Sequence, residues 1–235
     1  MNQIISHAAR MRNRTRGRLH CPLVFRAPFG GGIRAPEHHS ESTEALFAHI
    51  PGLQVVIPSS PKRAYGLLLA AIRNPDPVIF LEPKRIYRLV KQAVDDTGEA
   101  LPLGKCFTLR QGDDVTLVSW GASMHETLQA AKLLEEKEGI SCTVIDVACI
   151  KPLDIETILA SVNQTGRCVI IHEGAKTCGV GAEISAQIME NAMADLLAPV
   201  QRVTGYDTVM PYFQLEKYYI PSVTRIRDCV LSIMD

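Results

Sequence analysis

The stretch from residue 37 to residue 61 reads EHHSESTEALFAHIPGLQVVIPSSP, and it decides the fold. Two adjacent histidines, His38 and His39, open it, and they follow a loop of three glycines, Gly30, Gly31 and Gly32. A short amphipathic segment and a proline-glycine turn then lead into the apolar run LQVVI. This pattern predicts a flexible glycine loop that presents imidazoles at the mouth of an α/β sheet.

The first half of the chain alternates between strand and helix. We predict a helix over 2–14, a strand over 22–27, a loop over 28–40, a helix over 42–49, a strand over 53–57, a helix over 61–73 and a strand over 78–81. Ser42 or Ser40 is the expected cap of the second helix, with Glu44 or Glu41 close behind. Such alternation implies a parallel sheet covered by helices.

A second alternating unit follows a polar, irregular stretch over 84–105, which we interpret as an interdomain linker. We predict strands over 115–119, 142–147, 168–172 and 200–204, and helices over 122–137, 152–162, 181–196 and 222–234. Right-handed crossovers would make this a second, mostly parallel sheet.

Composition limits the classes of function. The chain has 235 residues, of which 46% are hydrophobic and 21% charged, as in ordinary globular proteins. The formal net charge is zero, which gives no support to a general role on nucleic acid or on an anionic membrane. No stretch approaches the roughly 18 continuous apolar residues that a membrane helix needs.

Seven cysteines occur, an odd number, without any CxxC pair. Cys142 and Cys168 fall within apparent buried strands. We interpret the thiols as reduced, small core residues in a cytosolic or matrix-like compartment.

The start of the chain is basic. Arginines alternate with other residues over 10–18, and no acidic residue precedes Glu37. A mitochondrial transit peptide has a similar composition. We favour a helix end rich in arginine that faces acidic groups of a partner.

Several stretches together resemble one family in order and spacing. They are EHHSES, FAHIPGLQVVIPSSP, PVIFLEPKRIYR, DVTLVSWG, VIDVACIKPLD, TGRCVIIHE and GYDTVMPYFQLEKYYIP. The chain resembles the β subunit of the decarboxylating component of thiamine-dependent 2-oxo acid dehydrogenase complexes. The resemblance implies an α/β fold, with part of a transketolase-like pyrimidine-binding domain over 1–92. A transketolase C-terminal-type domain with a mostly parallel sheet would follow over 93–235.

The resemblance also implies a function. A complete enzyme of this kind decarboxylates pyruvate or a branched-chain 2-oxo acid oxidatively and passes the acyl group to lipoyllysine of an acyltransferase core. It is a heterotetramer of α subunits and a pair of β subunits, and it uses thiamine diphosphate with magnesium shared with the α subunit. Its location is the bacterial cytoplasm or the mitochondrial matrix, with no nucleic-acid or membrane partner. The choice between pyruvate and branched-chain substrates stays open.

Two motifs of the family have no counterpart here. The glutamate that activates the aminopyrimidine lies upstream of the first residue in the family pattern, so no residue of this chain is assigned to the cofactor. The magnesium-diphosphate motif is also absent, because Gly112-Asp113-Asp114 fits a turn better. We therefore expect the isolated chain to be inactive. Two alternatives remain, a truncated non-catalytic assembly or docking module and another split transketolase-like enzyme.

His39 is the candidate catalytic residue. It matches the family histidine that is implicated in acyl transfer to lipoyl, and imidazole, with an unperturbed pKa of roughly 6.5, suits proton transfer near neutrality. His38 is interpreted as a bystander, and Ser40 as a residue that caps or orients the segment.

A potassium site is the candidate metal centre. Family members carry a structural potassium near the loop that ends the helix over 61–73, where orphan carbonyls attract cations. The matching residues are Leu23, Ala71, Ile72, Asn74 and Asp76. A plain helix end explains them equally well.

Three other features are weaker candidates. His49 is interpreted as a packing residue on an apolar helical face. His172 and Glu173 end a strand at the carboxyl edge of the second sheet, and an interdomain hydrogen bond is expected there. Cys178-Gly179-Val180-Gly181 opens a helix, but without a full GxGxxG pattern the glycines fit tight packing better than nucleotide binding.

Overall fold

The structure is a computed structural model that describes residues 1–234. The α-helices are α1 (Asn2–Ser6), α2 (Met11–Arg14), α3 (Glu44–Ala48), α4 (Pro61–Arg73), α5 (Ser123–Glu138), α6 (Ile155–Thr165), α7 (Val180–Ala192), α8 (Phe213–Tyr219) and α9 (Val223–Leu231). Short 3₁₀ helices span Ala8–Arg10, Glu37–Ser40, Lys84–Tyr87 and Met193–Asp195. The strands are β1 (Val24–Phe29), β2 (Gln54–Val56), β3 (Val78–Pro83), β4 (Phe107–Arg110), β5 (Val115–Ser119), β6 (Cys142–Asp146), β7 (Cys149–Lys151), β8 (Cys168–Ile171) and β9 (Gln201–Val203).

The first sheet has the strand order β1-β3-β2-β7. Its first three strands are parallel, and Val78 of β3 is the register partner of Val24 on one side and of Gln54 on the other. Strand β7 adds an antiparallel edge through pairs with Val55 and Val56. This parallel arrangement brings the carboxyl end of β1, where the glycine loop begins, to the same edge as the carboxyl end of β3.

The second sheet has the order β4-β6-β5-β8-β9. Strands β6, β5, β8 and β9 are parallel neighbours, while β4 runs antiparallel to β6. The residues of β5, β6 and β8 are buried throughout, as expected for central parallel strands covered on both faces. The prediction of an α/β fold with a mostly parallel second sheet is confirmed.

One hydrophobic cluster joins the two sheets. It contains Val55 and Leu81 from the first sheet together with Val118, Ile145 and Ile170 from the second, each at most 1% exposed. The sheets therefore share a core in addition to the smaller clusters on their outer faces.

The predicted N-terminal helix over 2–14 is wrong as a single element. The chain forms α1 and then a 3₁₀ turn over Ala8–Arg10 before α2 begins. Ala8 and Ala9 are buried, and Ala9 belongs to the same cluster as Leu53. Packing of this turn against the first unit overrides the helical pattern of the sequence.

Three short elements escaped prediction: β4, β7 and α8. Strand β7 pairs with β2, about 95 positions earlier, so its partner is not visible in any local sequence window. The segment between the Lys84–Tyr87 turn and β4 contains no helix or strand in the described chain, which agrees with the predicted irregular stretch.

The predicted helix over 61–73 matches α4, whereas the cap predicted for the preceding helix is wrong. Ser60 caps α4 by accepting a hydrogen bond from the Arg63 amide at 3.3 Å, and Pro61 occupies the first turn. Helix α3 has Thr43 at its N-cap without a side-chain hydrogen bond, so the predicted capping box is wrong. Ser40 instead donates to the Ala35 carbonyl at 2.8 Å.

The seven thiols are free over residues 1–234, and Cys142 and Cys168 are buried in β6 and β8 as predicted. Over the same residues, no helix combines the length and the apolar character that crossing a membrane requires.

Candidate active site

His39 lies in a closed loop that connects β1 to α3. The amide of Gly30 donates to the Glu41 carbonyl at 3.1 Å, which joins the two ends of the loop. The short 3₁₀ helix Glu37–Ser40 lies inside it, tied by the Ser40 hydroxyl. The loop is therefore compact, and it leaves the first sheet at the carboxyl end of a parallel strand, where α/β folds place their ligands.

The His39 side chain is exposed, while its backbone is held. The ammonium of Lys84 donates to the His39 carbonyl oxygen, and the His38 and His39 rings lie with centroids 4.1 Å apart. The imidazole of His39 is thus presented to solvent from an anchored main chain. That arrangement suits a group that exchanges a proton with a molecule arriving from outside.

Two glutamates from the second unit accept hydrogen bonds from the amides of the glycine loop. Glu173 Oε2 accepts from Gly31 at 3.1 Å. Glu216 Oε1 accepts from Gly32 at 2.6 Å, and Glu216 Oε2 accepts from Arg34 at 3.0 Å. The interdomain hydrogen bond predicted for the His172-Glu173 pair is confirmed for Glu173.

Glycine is required for this approach. Gly30 has φ +84°, and a Cβ at this position would lie 2.8 Å from Glu173 Oε1. Gly32 also has φ +84°, and its Cβ would overlap the side chain of Arg85. A larger residue at either position would strain the backbone and push the carboxylate or the guanidinium away.

Charged side chains lie next to the glycine loop. Arg85 is paired with Glu126, and Arg85 Nη2 donates to Glu126 Oε2 at 2.9 Å. Burial raises the pKa of Glu173 to about 7, against the opposing effect of the Arg85 charge. Burial also lowers the pKa of Lys84, although Glu173 and Glu216 favour its charged form.

A second buried cluster lies beside the first. Glu44 of α3 is 2% exposed, and burial raises its pKa to about 7. His172 is fully buried, stacks on Trp120 with ring centroids 5.0 Å apart, and has its pKa lowered to about 4 by burial. Within residues 1–234, both ring nitrogens of His172 and Oε2 of Glu44 have no hydrogen-bond partner.

Sequence reasoning missed Glu44, Lys84 and Glu216. Glu44 resembled an ordinary acidic residue in the first turn of a helix, and Lys84 fell at the edge of the predicted linker. Glu216 lies within GYDTVMPYFQLEKYYIP, one of the family-like stretches, and this was the only available signal.

The predicted potassium ligands lie at one corner of the first unit. Leu23 precedes β1, Asn74 follows α4, and Asp76 lies just before β3. Part of their hydrogen-bonding capacity is used: the Leu23 carbonyl accepts from the Val78 amide at 2.9 Å, and Asp76 pairs with Arg12 at 2.6 Å. Asn74 Oδ1 accepts from the Asp76 amide at 2.8 Å. The site stays a prediction.

His49 is exposed, so its predicted packing role is wrong. Together with Cys178 and Glu183 it lines a surface cavity of about 440 Å³ between α3 and α7. Gly181 follows Cys178 closely, and a Cβ on Gly181 would lie 2.7 Å from His172 Nε2, which supports the tight-packing interpretation of these glycines.

The buried carboxyl groups around the glycine loop do not open onto a cavity. Glu44, Glu173 and Glu216 are enclosed by protein, and none of them lines the surface cavities of 300–580 Å³. Gly112-Asp113-Asp114 forms the turn before β5, as predicted. Over residues 1–234, no cluster of three or more acidic, histidine or cysteine side chains is arranged to hold a metal ion.

Two protein families match consecutive parts of the chain. The family described as "Transketolase, pyrimidine binding domain" matches residues 1–90, and "Transketolase, C-terminal domain" matches residues 104–226. The predicted division at residue 92 is not tested by these matches.

Similar proteins of known name fall into two groups. The "Pyruvate dehydrogenase E1 component subunit beta" of Acholeplasma laidlawii is 50% identical over 95% of this chain and 68% of its own length. The mitochondrial "2-oxoisovalerate dehydrogenase subunit beta" of Dictyostelium discoideum is 49% identical over 94% of this chain and 60% of its own. The "3-methyl-2-oxobutanoate dehydrogenase subunit beta" of Mycobacterium tuberculosis is 44% identical over 99% and 67%.

A solved structure titled "Split gene transketolase, inactive beta4 tetramer" superposes with a TM-score of 0.74 at 25% identity. The superposition covers 98% of this chain and 73% of the chain in that structure.

Proposed function

This chain belongs to the family of β subunits of 2-oxo acid dehydrogenases, and from that premise we propose that it carries the acyl-transfer histidine of such an enzyme. Its partners are an α subunit and a second β subunit in a heterotetramer, and the acyl group passes to lipoyl groups of an acyltransferase core. Thiamine diphosphate supplies the reactive carbon of the reaction and is held with magnesium mainly by the α subunit. The free thiols fit the bacterial cytoplasm or the mitochondrial matrix.

The observation that carries this proposal is the exposed imidazole of His39 on an anchored backbone. Acylation of a lipoyl group breaks the dithiolane S–S bond, so that one sulfur takes the acyl group and the other takes a proton. His39 donates that proton. Because the side chain is exposed, the mobile lipoyl arm can reach the imidazole. The hydrogen bond from Lys84 to the His39 carbonyl holds the main chain in place when the ring moves.

The substrate is pyruvate or a branched-chain 2-oxo acid. Relatives named for each are almost equally similar, at 50% and 49% identity, so similarity does not separate them. Turnover of the assembled α/β enzyme on both kinds of 2-oxo acid distinguishes the two.

We also propose potassium as a structural ion at the corner formed by Leu23, Ala71, Ile72, Asn74 and Asp76. The oxygen-rich end of α4 supports this assignment. Melting in potassium chloride and in sodium chloride of equal concentration tests it, since a selective site raises the melting temperature only with potassium.

The test of the main proposal uses His39→Ala in the assembled α/β enzyme, with His38→Ala as the matched control. Removing a general acid costs about a hundredfold to ten-thousandfold, and we expect this loss in the lipoyl-dependent rate of the His39 variant alone. Decarboxylation with an artificial electron acceptor is expected to persist. Equal loss of both rates would assign His39 to substrate positioning or folding, and no loss would make it an ordinary loop residue.

A further inference from the structure

The glycine loop is held by carboxylates from a distant part of the chain. Glu173 follows β8 and is 3% exposed, and Glu216 lies in α8 and is 5% exposed. Together they accept hydrogen bonds from Gly31, Gly32 and Arg34. Three amides of the loop therefore depend on two buried side chains of the second unit.

The two glutamates are bound in different ways. Glu216 uses both oxygens, one for Gly32 and one for Arg34, whereas Glu173 accepts from Gly31 through Oε2 alone. Charge-assisted hydrogen bonds of this kind are about twice as strong as neutral ones. Glu216 is accordingly the stronger tie on the loop.

The position of Glu216 is itself fixed. Helix α8 ends beside Tyr219 and Ile220, which form a small buried cluster with Met210. A Cβ on Gly31 would lie 2.7 Å from Met210 Cε and 3.5 Å from Glu216 Oε1, so the loop and this cluster are in close contact. The helix therefore presents the carboxylate to the loop from a packed base.

Opposite charges balance this contact. The charges of Arg85 and Lys84 interact with both Glu173 and Glu216, while Glu126 contributes a further negative charge. Arg85 is itself held by Glu126. The carboxylates are thus part of one charged network that also reaches the His39 carbonyl through Lys84.

We propose that Glu173 and Glu216 are positioning residues for acyl transfer, which hold the glycine loop so that His39 meets the lipoyl group in a reactive geometry. This inference rests on the proposed role of His39. Neither glutamate touches the substrate, since both are enclosed by protein. Their effect passes through the loop backbone, where a displacement of about 1 Å is enough to cost about a hundredfold in rate.

The test compares three substitutions in the assembled α/β enzyme. Glu216→Ala removes both acceptors, and we expect the lipoyl-dependent kcat to fall about a hundredfold. Glu216→Gln keeps one acceptor oxygen for two amides, so its loss is intermediate, about tenfold. Glu173→Gln keeps an acceptor for its single amide and is expected to stay within about threefold.

Two readouts separate positioning from a general structural role. The KM for the 2-oxo acid and the rate with an artificial electron acceptor are expected to stay within about twofold in all three variants. Glu190→Ala is the matched control, because it removes an exposed glutamate of α7. Equal loss of both reactions, or no graded loss from Glu173→Gln to Glu216→Ala, would overturn the proposal.

A double variant keeps the test decisive if Glu216→Ala fails to fold. Adding Glu216→Gln to His39→Ala is expected to cause no further loss, because the loop then has no imidazole to position. Additive losses would contradict the positioning role of Glu216 while leaving the proposed role of His39 intact. A His39→Ala variant without selective loss would instead contradict the proposed function itself.

Discussion

At the scale of single residues, Glu44 shows how tertiary packing overrides local sequence. It lies in the first turn of α3, where an acidic side chain usually faces solvent and interacts favourably with the positive end of the helix dipole. Here the side chain points into the protein, and within residues 1–234 its Oε2 atom has no hydrogen-bond partner. Burial raises its pKa to about 7, and the nearby charge of Glu173 adds to the rise.

This pKa leads to a prediction about stability and pH. Because the folded-state pKa is raised, the contribution of Glu44 is fully present below its unfolded pKa of roughly 4.3 and is lost as pH rises through about 7. Glu44→Gln does not titrate. Relative to the parent chain, its free energy of unfolding is expected to improve by about 2–3 kcal/mol between pH 5 and pH 8.

Urea unfolding at the two pH values measures this difference. Glu41→Gln is the matched control, because Glu41 is an exposed neighbour at the end of the same loop. The prediction is contradicted if Glu44→Gln changes stability by the same amount at both pH values.

At the scale of elements, local signals located α4 and failed for α3. The helix predicted over 61–73 matches α4, which begins at Pro61 with Ser60 as its N-cap. The serines before α3 suggested a cap, but Ser40 bonds within the loop and Ser42 Oγ has no partner over residues 1–234. Helix α3 instead buries its glutamate, Glu44, against the second unit, and no local sequence pattern indicates that contact.

The candidate site likewise contains one residue that the sequence predicted and others that it did not. His39 was predicted from the six-residue family-like motif EHHSES. Glu173 and Glu216 contact the glycine loop across sequence separations of 142 and 184 positions, and spacing alone carries no information about such pairs. An interdomain hydrogen bond was expected for Glu173, but its partner in the glycine loop, and any role for Glu216, became visible only in the structure.

The turn before β2 gives a prediction at this scale. Gly52 has φ +90°, and a Cβ there would overlap the carbonyl oxygen of Ala9. Gly17 also has a positive φ, +77°, but no atom lies within 4 Å of its Cβ position. Gly17→Ala pays only for the left-handed backbone, about 1–2 kcal/mol. Gly52→Ala adds a backbone clash, and we expect it to be about 1–3 kcal/mol less stable than Gly17→Ala.

Thermal or urea unfolding of the two variants provides the comparison. The clash exists only while the 3₁₀ turn over Ala8–Arg10 packs on Gly52. Equal destabilisation by the two substitutions would show that this packing is absent in solution.

At the scale of the whole molecule, the two sheets are joined by apolar and charged contacts together. The shared core brings Val55 and Leu81 against Ile145 and Ile170. The charged network around the glycine loop lies at the edge of that core. A boundary of this kind differs from the polar, loosely packed interfaces that allow domains to move independently.

The only tryptophan of the chain lies at this boundary, which allows a direct test. Trp120 is 2% exposed, follows β5, and stacks on His172, while Glu44 reaches the same cluster from the first unit. Its fluorescence therefore reports the junction, whereas far-UV circular dichroism reports the helices of both units. Because the core is shared, we expect the two signals to change together in one cooperative urea transition. A fluorescence change that precedes the loss of helix would mean that the units separate before they unfold.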